Sequence, residues 1–153
     1  DVDGIILFNS SARHLADIAC DQYTAQDPSN KDLYTKYADA AKSVTQTSVS
    51  GYYYYGASDY YWASYNQINT ANNIQIANMK TLIINSTNDK QLFGEDIALW
   101  RTLFSTMENV EITVYEDISH FGYVCDTSDS RFMYMQMKFP LKVVLACTEF
   151  IGR

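Results

Sequence analysis

The sequence predicts an α/β fold with three parallel strands, flanking helices and a helical cap insertion. Three apolar runs rich in branched side chains, at 4–8, 81–85 and 110–115, have the composition of strands in a buried parallel sheet. Segments with helical spacing alternate with these runs, and such alternation is typical of crossover connections between parallel strands. Residues that directly follow the three runs, including Asn9, Asp89 and His120, should therefore share one edge of the sheet.

The long segment between the first and second strands predicts two helices and a tyrosine-rich region. Asn9-Ser10-Ser11 offers N-cap side chains for a helix over about 12–23, and Asp27-Pro28-Ser29-Asn30 should end it before a second helix over about 31–44. Residues 52–55 could be extended or lead into a helix over 58–67. Residues 68–78 are rich in asparagine and predict an irregular segment, with Ile74 and Ile76 pointing inward. The segment 10–78 far exceeds a minimal crossover of about a dozen residues, so we interpret it as a cap over the sheet edge.

Two more helices flank the last strand. Residues 93–107 have an amphipathic pattern, residues 126–131 are typical of a polar loop, and Pro140 suits the first turn of a final helix. One apolar stripe of that final helix is formed by Leu141, Val144, Leu145, Thr148 and Ile151. A parallel sheet of only three strands would leave an apolar edge open. We therefore expect residues 1–153 to form the C-terminal part of a larger domain.

The composition excludes several classes of function. The 153 residues are 47% hydrophobic and 19% charged, which is typical of a globular protein. The net charge of −7 argues against a nucleic-acid partner or an anionic membrane surface, because both attract basic proteins. No apolar run approaches the roughly 20 residues that span a bilayer. Cys20, Cys125 and Cys147 lie far apart, and no phosphate loop is present, so we expect no metal or cofactor.

Asp89 and His120 are the strongest candidates for chemistry. Each lies in a short polar loop just past an apolar run. A histidine general base transfers protons near neutral pH, and a carboxylate on its other ring nitrogen fixes the tautomer and stabilises the imidazolium. The competing interpretation is that Asp89 caps the following helix and His120 is an ordinary loop residue. The order and placement of the pair favour the catalytic interpretation.

Two other polar residues near these segments are weaker candidates. His14, the second histidine, falls in the first turn of a predicted helix at a spacing typical of the surface. Asp117 lies three residues before His120, which is too near in sequence for it to act as the acid partner of that histidine. It is better explained as a solvated turn residue.

Nucleophile candidates within the chain are also weak. Ser58 lies in Gly56-Ala57-Ser58-Asp59-Tyr60, but Tyr60 replaces the second glycine of a nucleophile turn, so Ser58 is better explained as an N-cap. Cys20 and Cys125 do not follow a strand through a sharp turn. The tyrosines between 52 and 65 could line an apolar pocket or pack the insertion onto the rest of the domain.

These features resemble the C-terminal half of the α/β-hydrolase superfamily, in particular serine hydrolases of the dienelactone-hydrolase and serine-aminopeptidase type. Residues 4–13 resemble the strand that follows the nucleophile helix, and 82–91 resemble the acid strand and its turn. Residues 95–100, 118–121 and 139–151 resemble the next helix, the histidine loop and the final helix. Ser86 stands where the turn of that family usually has glycine, which should tighten or reshape it. The resemblance is weak between residues 20 and 70.

The resemblance implies a partial α/β-hydrolase fold in which Asp89 is the acid and His120 the base of a catalytic triad. It implies a nucleophilic serine upstream, in the N-terminal half of the same fold, and a small acyl ester or amide as substrate. The nucleophile and the oxyanion hole have no counterpart here, so we expect the chain alone to be inactive. The alternative is a non-catalytic interaction module derived from a hydrolase fold, which would dock through the open sheet edge.

Overall fold

The computed structural model describes residues 2–124 and 140–152. Their elements, in chain order, are β1 (Gly4–Phe8), α1 (Leu15–Gln26), a 3₁₀ turn (Pro28–Asn30), α2 (Lys31–Ser43), β2 (Tyr53–Tyr54), β3 (Ala57–Ser58), α3 (Asp59–Tyr65), α4 (Thr70–Ala77), β4 (Lys80–Ser86), α5 (Gly94–Leu103), β5 (Val110–Tyr115) and α6 (Leu141–Gly152). The chain divides into two compact units, a sheet unit of Asp1–Ala12 with Ala71–Arg153 and a helical unit of Arg13–Thr70.

The sheet unit contains a three-stranded parallel sheet in the order β1-β4-β5. Gly4 pairs with Lys80, and Thr81 pairs with Val110, so the three strands end at the same edge. The central strand β4 is the most buried, while β1 and most of β5 are half-buried. The prediction of an α/β fold with three parallel strands and flanking helices is confirmed.

Helices cover both faces of this sheet. Because successive side chains of a strand point to opposite faces, Ile83 lies on one face and Leu82 and Ile84 on the other. Ile83 packs with Trp100 and Phe104 around α5 and with side chains of α4, whereas Leu82 and Ile84 pack with side chains of α6. The two small cores so formed hold the strand ends in a fixed arrangement.

Two predictions about residues 68–78 were wrong. Residues 68–78 are not irregular, because α4 forms there and its helical period, not strand alternation, decides which side chains are buried. Ile74 is buried as predicted, but Ile76 is 75% exposed because it lies on the opposite side of the helix.

The apolar stripe predicted for α6 is not the one that packs. Val143 and Phe150 are buried against the sheet with Cys147 partly buried beside them, since this helix carries a second apolar stripe at helical spacing. The large side chains of the predicted stripe are exposed: Leu141, Val144, Leu145 and Ile151. Cys125, the loop predicted at 126–131 and residue 139 lie outside the described residues.

In the helical unit, α1 and α2 pack through small side chains. Ala16, Ala38 and Ala41 are buried together with Val44, Trp62 and Ala63. The second helix and the break before it were predicted correctly, but α1 begins at Leu15 because His14, rather than the predicted Asn9-Ser10-Ser11, is its N-cap. This unit falls within the segment predicted as an insertion, and its covering of the sheet edge stays a prediction. In the part of the chain that the structure describes, no helix is both long and apolar enough to span a bilayer.

Candidate active site

Asp89 is placed by a tight turn at the end of β4. The backbone oxygen of Ser86 accepts a hydrogen bond from Asp89 N at 3.4 Å, and the Ser86 hydroxyl accepts one from Asn88 N at 3.1 Å. The hydroxyl supplies the support for this turn, and Ser86 itself is almost fully buried. Ser86 therefore supports this turn through both its hydroxyl and its backbone oxygen.

The two oxygens of the Asp89 carboxylate bind different partners. Its side chain is fully buried, and Oδ1 accepts hydrogen bonds from the backbone N–H groups of Gln91 at 2.7 Å and Leu92 at 3.1 Å. These two donors compensate the buried oxygen for the water it loses. Oδ2 points to a different partner, the imidazole of His120.

His120 lies in a compact turn after β5. Gly122 N donates to Ser119 O at 2.9 Å, and Ser119 N donates to Tyr123 O at 2.8 Å. Gly122 has a φ of 84°, a left-handed conformation that glycine adopts without strain. Ile118 and Ser119 are almost fully buried, so the loop is anchored just before His120.

The structure brings Asp89 and His120 together. His120 Nδ1 lies 2.8 Å from Asp89 Oδ2, and the imidazole keeps 24% of its surface exposed. Because an ionised carboxylate only accepts hydrogen bonds, Nδ1 is the donor and the neutral ring carries its lone pair on Nε2. Among the described residues, no side chain hydrogen-bonds to Nε2. The ring of Phe121 packs edge-on against the imidazole, with 5.4 Å between the ring centroids. A ring held in this way can accept a proton at Nε2.

Asn9 joins this group from the end of β1. Its side-chain Nδ2 donates to the backbone oxygens of Ser119 and His120. The predicted sharing of one edge by Asn9, Asp89 and His120 is thus seen directly. The amide contacts of Asn9 and the backbone donors of Gln91 and Leu92 were not predicted.

The weaker candidates have local partners of their own. His14 Nδ1 accepts from Ala16 N at 3.1 Å, its Nε2 lies 2.8 Å from Asn66 Oδ1, and its ring stacks on Trp62, so it caps α1 instead of lying free at the surface. Asp117 forms an ion pair with Lys142, and this ammonium lowers the pKa of Asp117.

Ser58 is the N-cap of α3, as the sequence predicted. Its hydroxyl accepts a hydrogen bond from Tyr61 N at 3.4 Å. Tyr55 and Gly56, at φ of 51° and 77°, form the two-residue turn of the β2–β3 hairpin. Gly56 therefore serves a hairpin, which explains a Gly-x-Ser pattern without a nucleophile. Cys20 lies in α1, 4.0 Å from the Thr35 hydroxyl.

The tyrosines of this region divide between packing and exposure. Tyr55 donates its hydroxyl hydrogen bond to Tyr34 O, and burial raises its pKa well above the usual value. Tyr52, Tyr53 and Tyr60 are exposed. A pocket lined by these rings stays a prediction.

No protein family, curated protein or solved structure gives a significant match to this chain. Its candidate site is therefore interpreted from geometry. Among the described residues, no three histidine, cysteine, aspartate or glutamate side chains cluster in a way that could hold a metal ion. The pair formed by Asp89 and His120 is the arrangement with the clearest chemical capacity.

Proposed function

We propose that this chain supplies the acid and the base of a serine hydrolase that cleaves small acyl esters or amides. The observation that carries the proposal is the 2.8 Å contact between a fully buried carboxylate and a partly exposed imidazole, which follow two adjacent parallel strands. This is the division of roles that a catalytic histidine needs, because one ring nitrogen is fixed by the acid and the other remains able to exchange a proton.

The chemistry follows from the tautomer. A serine hydroxyl outside this chain would attack the acyl carbonyl while His120 Nε2 takes its proton. The imidazolium, stabilised by Asp89, would then give that proton to the leaving alcohol or amine as the carbon–heteroatom bond breaks. Water would hydrolyse the resulting acyl-enzyme by the same steps, with His120 again acting first as base and then as acid.

The remainder of the same fold is the partner that this proposal requires. Among the described strands, β1 pairs only with β4, which leaves its other edge without a strand. A cavity of about 340 Å³ lies where β1, β4 and α6 meet, and it is lined by Asp3, Gly4, Ile6, Lys80, Phe150 and Ile151. The exposed stripe of α6 adds apolar surface, for instance at Leu141 and Ile151. These features support a preceding strand and helix that would complete the sheet and carry the nucleophile.

A fluorophosphonate probe, which phosphonylates activated serines, tests the proposal on the full-length gene product containing this chain. We expect labelling that His120→Ala abolishes and that Asp117→Asn leaves intact, since Asp117 lies in the same loop but contacts Lys142. Labelling that survives His120→Ala would contradict the proposal. The 153-residue chain alone should not turn over a simple aryl ester. If the chain alone does hydrolyse the ester, and His120→Ala abolishes that activity, Ser58 becomes the nucleophile candidate.

The same open edge also favours a second candidate function, a non-catalytic interaction module. In that case β1 would pair with a strand of another protein by edge addition. The probe experiment separates the two, because a module has no activated serine to label.

A further inference from the structure

Asn9 has an unusual backbone conformation directly after β1. Its φ is 42°, in the left-handed region that asparagine tolerates better than most residues other than glycine. Only 7% of its surface is exposed, and its backbone N–H donates to Ile84 O at 2.7 Å. The backbone of Asn9 is therefore fixed to the central strand, and its side chain leaves from a defined point.

The side-chain amide connects two strands that are not neighbours. Nδ2 donates to Ser119 O at 2.9 Å and to His120 O at 2.6 Å, so both of its hydrogens bind the loop after β5. Since β4 lies between β1 and β5, the amide reaches across the carboxyl end of the central strand. Reversing the amide would place Oδ1 against two carbonyl oxygens, so this orientation is the one that the contacts allow. In it, Oδ1 is buried and has no hydrogen-bond partner among the described residues.

We propose that Asn9 is a positioning residue that holds the peptide of His120 so that Nδ1 stays on Asp89. A left-handed backbone conformation and a buried, unpaired amide oxygen both cost free energy. Stabilising a surface turn alone would not require them. The amide is well suited to fixing one peptide group, because two donors on one rigid plane define both the place and the tilt of the loop. The catalytic consequence rests on the proposed function, whereas the effect on the contact between Asp89 and His120 does not.

The test uses two Asn9 variants and one matched control. Asn9→Gly removes the amide and keeps a residue that accepts a positive φ, and Asn9→Asp keeps the shape but replaces Nδ2, which donates both hydrogen bonds, with an oxygen that only accepts. Asn78→Gly is the control, because Asn78 has a similar φ of 48° but is exposed at the end of α4. All three are compared in the full chain after circular dichroism has shown that they fold.

The primary readout is the NMR signal of the His120 Nδ1 proton, which moves downfield when the proton is shared with a carboxylate. We expect faster exchange with water and an upfield shift in both Asn9 variants, and no change in Asn78→Gly. In the full-length product, kcat for an aryl ester should fall about tenfold to a hundredfold with little change in KM, as expected when a catalytic group is misplaced.

The two proposals fail in different ways. An unchanged Nδ1 signal and exchange rate in Asn9→Gly and Asn9→Asp would overturn the role of Asn9. A wild-type protein that no fluorophosphonate labels would instead refute the proposed function. The NMR comparison decides the role of Asn9 in either case, because it does not require turnover.

Discussion

Replacing Asp89 by asparagine should reverse the tautomer of His120 without unfolding the protein. In the wild type, Oδ2 accepts from His120 Nδ1 at 2.8 Å, and Oδ1 accepts from two backbone N–H groups. In Asp89→Asn the side-chain oxygen can keep the backbone donors, but the amide nitrogen then faces Nδ1. Since that nitrogen only donates, Nδ1 must become the acceptor and the ring proton must move to Nε2.

The size of this effect follows from the hydrogen bond. A hydrogen bond to a charged group contributes about 1.5–3 kcal/mol, and about 1.4 kcal/mol corresponds to a factor of ten. The wild type should therefore prefer the Nδ1–H tautomer by roughly 10- to 150-fold. In the variant, Nε2 can no longer accept a proton in the dominant tautomer, so labelling and turnover of the full-length product should fall by about 10⁴-fold.

Nitrogen-15 NMR of the His120 ring measures both tautomers directly. We expect the wild type to show a protonated Nδ1 and an unprotonated Nε2, and Asp89→Asn to show the reverse. Asp117→Asn provides the control from the same loop, because its carboxylate is paired with Lys142. A wild-type ring with evenly mixed tautomers, or an Asp89→Asn ring that keeps its proton on Nδ1, would refute the reasoning.

Three further substitutions test other parts of the structure. Ser58→Ala should destabilise the helical unit by about 1 kcal/mol through loss of the N-cap, as measured by urea denaturation, and leave fluorophosphonate labelling unchanged. Asp59→Asn should make the free energy of unfolding less dependent on pH in the acid range. Hydrogen bonds from the Ser50 N–H and those of Gly51 and Tyr52 lower the pKa of Asp59 in the folded protein. The stability that the Asp59 carboxylate contributes is therefore fully present above its pKa in the unfolded chain, and it is lost as pH falls through its pKa in the folded protein. Trp100→Phe should destabilise the sheet unit by about 1–3 kcal/mol in urea denaturation, because it removes buried volume and the bond from Nε1 to Ser10 O.

The sequence predicted the parts of the fold that depend on local pattern. The three strands were evident because each is a short apolar run bounded by polar residues, and α2 was predicted to within a residue because the break Asp27-Pro28-Ser29-Asn30 precedes it. The edge shared by Asp89 and His120 followed from topology alone, since parallel strands end on the same side.

What the sequence did not show depends on tertiary contacts. In α6 two apolar stripes compete, and only the packing of Val143 and Phe150 against Leu82 and Ile84 decides between them. The segment of α4 is rich in asparagine, a poor helix former, and its helix is stabilised by burying Ala71 and Ile74. The amide of Asn9 reaches residues more than a hundred positions away in the chain, and no local pattern marks such a contact.

The burial of Asp89 also bears on whether the pair is catalytic or merely structural. A role in the turn needs only Oδ1, which receives the N–H groups of Gln91 and Leu92, and an asparagine would serve equally well there. Asp89→Ala should therefore lower the free energy of unfolding by about 1–3 kcal/mol, since two partly buried N–H groups lose their acceptor, whereas Asp89→Asn should lower it by less than about 1 kcal/mol. Urea denaturation of both variants measures the difference, and equal losses would show that the charge itself stabilises the fold. If the difference is found, the second oxygen and its negative charge, which are costly to bury, are explained by His120 rather than by the turn.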